Sequence, residues 1–150
     1  MFLPRFVLYA FKSDADRDRS ERASLRLLWA LIDINMDWLE ARPDTPWLYR
    51  SGLRYNGQAY KLGQEDWMDI PSALLTCHAD QCGVGTDCKV LVCYRVAELR
   101  RNGIDARPWL LRQARMPLAD GSISYGYHVV VRLPDGTLED PSAILGMKPA

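Results

Sequence analysis

The chain has 150 residues, of which 48% are hydrophobic and 25% charged, and its 19 basic and 19 acidic residues give a formal net charge of zero. This length predicts a single domain over residues 1–150, and this composition is sufficient for an ordinary globular core. Because no net positive charge creates a global attractive field, we expect neither nucleic acid nor a membrane surface as a partner.

The first apolar run of the chain is short. It extends from Phe6 to Phe11 and follows Pro4 and Arg5. The apolar core of a signal peptide needs about 7–15 residues and a cleavage site, and a spanning helix needs about 20 apolar residues. We therefore expect a strand over residues 5–11, no signal peptide, no transmembrane segment and a cytoplasmic location.

A helix with one apolar face is predicted to follow. Residues 14–22 are mostly charged and are expected to form a connector, and apolar residues at helical spacing predict a helix over residues 24–42. Pro43 ends this helix because proline lacks the backbone N–H that a helix interior needs. Trp29 and Trp38 are expected to pack on the core against the helix that begins at residue 88, with contact to a substrate as the alternative.

The segment from Pro43 to Pro71 has no clear periodicity. Its prolines, glycines and aromatic residues predict an ordered loop region that either covers the core or forms one wall of a cleft. A short helix over residues 65–71 is expected to end at Pro71, and residues 72–79 are expected to form a further helical turn. Of the aromatic residues, Trp67 is expected to lie nearest to a functional site.

A second long helix is predicted to begin at Cys88. Apolar residues recur along it at spacings of three and four, and Asn102 and Gly103 end it because both tolerate the positive φ of a helix C-terminus. Unpaired N–H groups and the helix dipole favour negative charge in the first turn, so the thiol of Cys88 is expected to lose its proton more easily than a free cysteine. Asp87 would oppose a thiolate there, so we expect it to point to solvent or to cap the helix.

The last third of the chain predicts an antiparallel meander. Strands are expected over residues 106–115, 125–133 and 137–140, with turns at residues 119–122 and 134–136 that contain Asp-Gly pairs. A helix followed by such a meander belongs to the α+β class.

Three residues in this half of the chain have the side chains of a cysteine catalytic triad. Cys88 starts a helix, His128 lies in a strand, and Asp140 follows the next strand, an order that supplies a nucleophile, a base and a group that orients the base. We expect His128 to pair with Cys88 as an imidazolium and Asp140 to hold the other ring nitrogen. The backbone N–H of Cys88 is the expected first oxyanion donor, and Trp67 or Gln81 is the expected second.

Two phrases around these residues resemble a known superfamily. GTDCKVLVCYRVAELRRNGIDARP and YHVVVRLPDGTLEDPS are similar to the transglutaminase-like cysteine enzymes, which belong to the broader papain-like fold. The shared pattern is a glycine shortly before a helix-starting cysteine, a Gly-Ile-x-Ala-Arg exit from that helix, a histidine in a strand and an Asp-Pro after the next strand. All four parts occur in order within residues 83–142. The resemblance implies a cysteine-bearing helix packed on a small antiparallel sheet that carries the histidine and the aspartate.

The resemblance also implies an activity and its alternatives. We expect cysteine-dependent acyl transfer on a protein or peptide substrate, with amide hydrolysis as in a thiol protease first and cross-linking second, because we expect no extra domain that would select an acyl acceptor. No cofactor and no calcium site are expected. Compact members of this superfamily are often bacterial or phage-encoded, so the alternative is a non-catalytic structural module, for example a virion component that assembles with other virion proteins.

The clustered cysteines leave a third hypothesis, a redox or zinc role. Cys77, His78, Cys82 and Cys88 are the candidate zinc ligands, but they lack the paired C-x2-C spacing that is typical of structural zinc sites, so no metal is expected. Cys93 follows Cys88 by five residues and is expected to be a small core residue.

Overall fold

The computed structural model describes residues 6–7, 11–56, 69–76 and 86–148. The helices within these ranges are α1 (Asp14–Ala41), α2 (Ile70–Thr76), α3 (Cys88–Arg101) and α4 (Pro141–Ile144), with a 3-10 turn at Leu48–Arg50. The strands are β1 (Phe6–Val7), β2 (Arg107–Pro117), β3 (Ile123–Arg132) and β4 (Leu138–Glu139). Helices and one antiparallel sheet confirm the predicted α+β class. Within the described ranges, no helix has the length and apolar character needed to span a bilayer.

The first helix begins ten residues before the predicted start at residue 24. Ser13 caps α1, because its hydroxyl accepts a hydrogen bond from the N–H of Asp16 at 3.2 Å. The acidic residues in the first turn interact favourably with the positive end of the helix dipole, and Arg17 forms an ion pair with Asp14, one turn away, at 3.0 Å. The charged residues that the sequence suggested as a connector therefore form the first turns of the helix, and that prediction was wrong.

The end of α1 and the segment beyond it are governed by prolines. α1 ends at Ala41, two residues before Pro43, as predicted. The predicted helix over residues 65–71 lies largely outside the described residues. In its described part, Pro71 occupies the first turn of α2 and does not end a helix, because a missing N–H costs nothing in a first turn. The first predicted strand is described at β1 and at Phe11, which bridges to Ile123.

The sheet is organised around β3. β2 pairs with β3 along one whole edge, with a register shift between Arg112 and Ala114. The two strands are connected by the predicted turn that contains Asp120 and Gly121. β1 and β4 pair with the two ends of the other edge, β1 with residues 126–127 and β4 with residues 131–132. Residues 128–130 of that edge have no strand partner in the part of the chain that the structure describes. The predicted catalytic histidine is one of these three residues.

The helix that carries Cys88 lies at the centre of the molecule. α3 packs against α1 on one side and against β3 on the other, and all of its residues from Cys88 to Leu99 except Arg95 are buried. The core residues that α3 and β3 contribute include Val90, Leu91, Val92, Val96, Tyr127, Val129 and Val131. Trp29 and Trp38 of α1 are partly buried against this core, as predicted, and the guanidinium of Arg100 lies over the ring of Trp29.

Candidate active site

The start of α3 fixes the position of Cys88. Asp87 is the N-cap, and its Oδ1 accepts hydrogen bonds from the N–H groups of Lys89 at 2.9 Å and Val90 at 3.3 Å. Asp87 is buried, so of the two expected positions it takes the one that caps the helix and not the one that faces solvent. The predicted start of this helix at Cys88 is confirmed.

The thiol of Cys88 is fully buried. Burial is the main cause that raises its pKa to about 12, and the nearby carboxylates of Asp87 and Asp140 act in the same direction. The ammonium of Lys89 and the backbone N–H of Val129 lower this pKa but do not compensate for burial. The expectation that the helix terminus makes this thiol more acidic was therefore wrong. Desolvation outweighs the field of the helix terminus, two of whose N–H groups are already satisfied by Asp87.

His128 and Asp140 lie in direct contact. Nε2 of His128 is 2.9 Å from Oδ2 of Asp140, and the ring is buried while the carboxylate is 30% exposed at the side chain. The other oxygen of Asp140 caps α4, accepting from the N–H groups of Ser142 at 3.1 Å and Ala143 at 3.3 Å. Burial acts to raise the pKa of Asp140, but the bond to His128 and the two N–H groups prevail and lower it. The carboxylate is thus held ionised against one nitrogen of the ring.

The second ring nitrogen of His128 is left unused. Nδ1 is buried and has no hydrogen-bond partner among the described residues, so the thiol of Cys88 is not hydrogen-bonded to it. The sulfur instead lies near the backbone N–H of Val129 on β3. Because side chains alternate along a strand, Val129 points to the core face of the sheet and His128 leaves the strand on the opposite face. The thiol of Cys88 therefore lies near the backbone of the residue that follows His128, but it makes no hydrogen bond to the His128 ring.

The remaining predicted site residues have different outcomes. Trp67 and Gln81, the candidate second oxyanion donors, lie outside the described residues, as do Cys77, His78 and Cys82 of the zinc hypothesis. No group of three or more histidine, cysteine or acidic residues suited to a metal ion occurs in the described ranges. Cys93 is confirmed as a core residue, because its buried thiol donates to the carbonyl of Leu28 at 3.5 Å.

Two charged clusters near the site were not identified from the sequence. Lys89 is fully buried and its Nζ lies 2.5 Å from Oδ2 of Asp87, although residues two apart do not normally face each other on a helix. Arg95 of α3 pairs with Glu98, a spacing of three that does signal a helix ion pair, and also with Glu139 of β4. The contact between Arg95 and Glu139 joins the helix that carries Cys88 to the residue before Asp140, and no local sequence pattern predicts it.

No protein-family model, curated protein or solved structure matches the chain. The α+β class rests on the structure described above. The transglutaminase-like assignment continues to rest on the two phrases within residues 83–142 and stays a prediction.

Proposed function

We propose that the chain is a cysteine-dependent acyl-transfer enzyme with a transglutaminase-like, papain-like fold, in which Cys88 is the nucleophile, His128 the base and Asp140 the orienting group. The observation that carries this proposal is the state of the His128 ring. Asp140 is hydrogen-bonded to Nε2, and Nδ1 is buried with no hydrogen-bond partner among the described residues, an arrangement that costs free energy. A proton donor that reaches Nδ1 would satisfy this group, and the thiol of Cys88, which lies near the backbone N–H of the next residue, Val129, would have to move to reach the ring.

The proposed reaction requires the thiol of Cys88 to move into contact with Nδ1 of His128, because the two are not hydrogen-bonded in the described structure. The thiol proton of Cys88 passes to Nδ1 of His128 as the sulfur attacks the carbonyl carbon of an amide and a C–S bond forms. Asp140 stabilises the resulting imidazolium, which then donates its proton to the departing amine as the C–N bond breaks. Water, activated by the neutral His128, hydrolyses the thioester and releases the acid. An amine in place of water would give cross-linking, the second activity we consider.

The burial of Cys88 changes how this nucleophile is activated. Because burial and the neighbouring carboxylates raise the pKa of the thiol, the resting site holds a neutral thiol and not the preformed thiolate that we expected from the sequence. His128 therefore acts as a general base at the moment of attack. Access of a protein or peptide substrate requires the sulfur, which is enclosed in the resting structure, to become exposed.

The same burial favours a second function. A thiol that stays enclosed cannot attack a substrate, and α3 would then serve only as the central helix of a structural or interaction module. Such a module, for example a virion component, would assemble with other virion proteins, whereas the enzyme is proposed to act in the cytoplasm.

Cysteine labelling separates the two functions. Cys88 and Cys93 are both fully buried in α3, so Cys93 is a matched control for opening of the helix. For the enzyme we expect iodoacetamide to label Cys88 at least about tenfold faster than Cys93, and His128→Ala to remove that difference. Equal labelling rates, unchanged by His128→Ala, would support the structural module and contradict the enzyme. Loss of amide hydrolysis in Cys88→Ala, measured on a denatured protein substrate, completes the test.

A further inference from the structure

A buried ion pair flanks Cys88 along the chain. Asp87 and Lys89 are its immediate neighbours, and the ammonium of Lys89 lies 2.5 Å from Oδ2 of Asp87 with side-chain exposures of 0% and 6%. Withdrawing both charges from water is costly, and such pairs contribute little net stability compared with apolar residues of similar size. Their presence beside a candidate nucleophile therefore calls for a reason beyond stability.

Capping of α3 does not supply that reason. Oδ1 of Asp87 alone accepts both capping hydrogen bonds, from the N–H groups of Lys89 and Val90. Oδ2 is used for the ammonium, and an asparagine, which has no charge to pair, caps a helix equally well. The ion pair is thus a second arrangement that is built on the cap and is not required by it.

On the basis of the proposed function, we propose that Lys89 is a positioning residue of the Cys88 site, whose ammonium, anchored on Asp87, supplies the positive charge against which the sulfur becomes a thiolate. In the part of the chain that the structure describes, the titratable groups near the thiol are Asp87 and Lys89 at the start of α3, Asp140 before α4 and His128 on β3. The charge of Lys89 favours the thiolate, while both carboxylates oppose it. Removing the charge of Asp87 should therefore lower the pKa of the Cys88 thiol, and removing the charge of Lys89 should raise it.

This opposition of sign defines the experiment. In the full chain, Asp87→Asn keeps the cap and removes one opposing charge, and Lys89→Met keeps most of the side-chain volume and removes the favourable charge. The measured quantity is the ratio of the iodoacetamide labelling rates of Cys88 and Cys93 at pH 8, determined by peptide mass spectrometry. We expect the ratio to rise about tenfold in Asp87→Asn and to fall about tenfold in Lys89→Met, since one pKa unit changes the thiolate fraction tenfold. The double variant should return close to the wild-type ratio.

The ratio separates electrostatics from stability. A variant that only loosens α3 accelerates both cysteines together and leaves the ratio unchanged, and that outcome overturns the proposal, as does a shift of both single variants in the same direction. A second measurement needs no reagent access: the 13Cβ shift of Cys88 should titrate about one pH unit lower in Asp87→Asn than in the wild type. An unchanged midpoint would also overturn the proposal.

Failure of this proposal can be told from failure of the proposed function. If His128→Ala leaves the labelling of Cys88 unchanged while Asp87→Asn and Lys89→Met move it in opposite directions, the charge role of Lys89 stands and the triad does not. If His128→Ala slows the labelling but neither charge variant moves the ratio, the triad stands and the role of Lys89 is refuted.

Discussion

Replacing Arg95 by methionine removes the cation from a buried network between α3 and β4. Nε of Arg95 lies 2.6 Å from Oε1 of Glu139, and Nη1 lies 2.8 Å from Oε1 of Glu98. The hydroxyl of Tyr49 donates to Glu139, and the guanidinium carbon lies 4.7 Å from the centre of the Tyr49 ring. The other oxygen of Glu98 accepts from the N–H of Leu48 at 2.9 Å. One cation thus joins the 3-10 turn, α3 and β4.

The expected loss follows from the burial of the partners. The side chains of Arg95, Glu98 and Glu139 are 16%, 5% and 19% exposed, so Arg95→Met leaves two nearly buried carboxylates close together without a cation. Removing one partner of a fully buried pair costs about 3–5 kcal/mol. Burial raises the pKa of Glu98, which eases its neutralisation, and Glu139 keeps some contact with water. We therefore expect Arg95→Met to lower the free energy of unfolding by about 2–4 kcal/mol at pH 7.

The assay is urea unfolding followed by circular dichroism, with Arg107→Met as the matched control. Arg107 pairs with Asp105 at 3.1 Å, but these side chains are 62% and 58% exposed, and we expect a loss below about 0.5 kcal/mol. The free energy of unfolding should decrease with urea concentration at the same slope in both variants, because the surface exposed on unfolding is unchanged. If the free energy of unfolding falls by the same amount in both variants, within about 0.5 kcal/mol, then burial does not account for the contribution of the Arg95 network to stability.

Two further predictions concern the site and the core. Because the pKa of Asp140 is lowered in the folded state, its charge contributes stability above its unfolded value of about 4, and that contribution is lost as the pH falls through the folded pKa. Asp140→Asn should thus cost about 1–2 kcal/mol at pH 5 and distinctly less at pH 3 in urea unfolding, and an equal cost at both pH values would exclude the charge as its source. Leu28→Ala, which truncates a fully buried side chain of α1, should cost about 2–5 kcal/mol in the same assay, whereas the adjacent and exposed Leu27→Ala should stay within about 0.5 kcal/mol, and similar losses would contradict the described packing of α1.

The features that the sequence predicted well are those that neighbouring residues encode. The start of α3 at Cys88 follows from a capping aspartate and an apolar repeat, and its end at Arg101 follows from Asn102 and Gly103. The two turns of the meander follow from Asp-Gly pairs, whose glycines adopt positive φ. The error at the start of α1 has a local cause as well, because Ser13 is an ordinary cap and the charged residues after it are compatible with a helix.

Other features depend on residues far apart along the chain. The contact between His128 and Asp140 required β4 to pair beside β3, which sequence order made plausible but did not specify. The bond between Arg95 and Glu139 joins residues 44 positions apart. Through-space partners of this kind depend on how elements pack, and no local repeat records them.

The amino-acid sequence by itself determined the α+β class, the helix that starts at Cys88, and the order in which a thiol, an imidazole and a carboxylate follow one another. Only the tertiary structure decided that α3 is enclosed between α1 and the sheet, so that the Cys88 thiol is removed from water and its pKa rises. The physical reason is that capping and periodicity act between neighbours along the chain, whereas desolvation depends on everything that packs around a group.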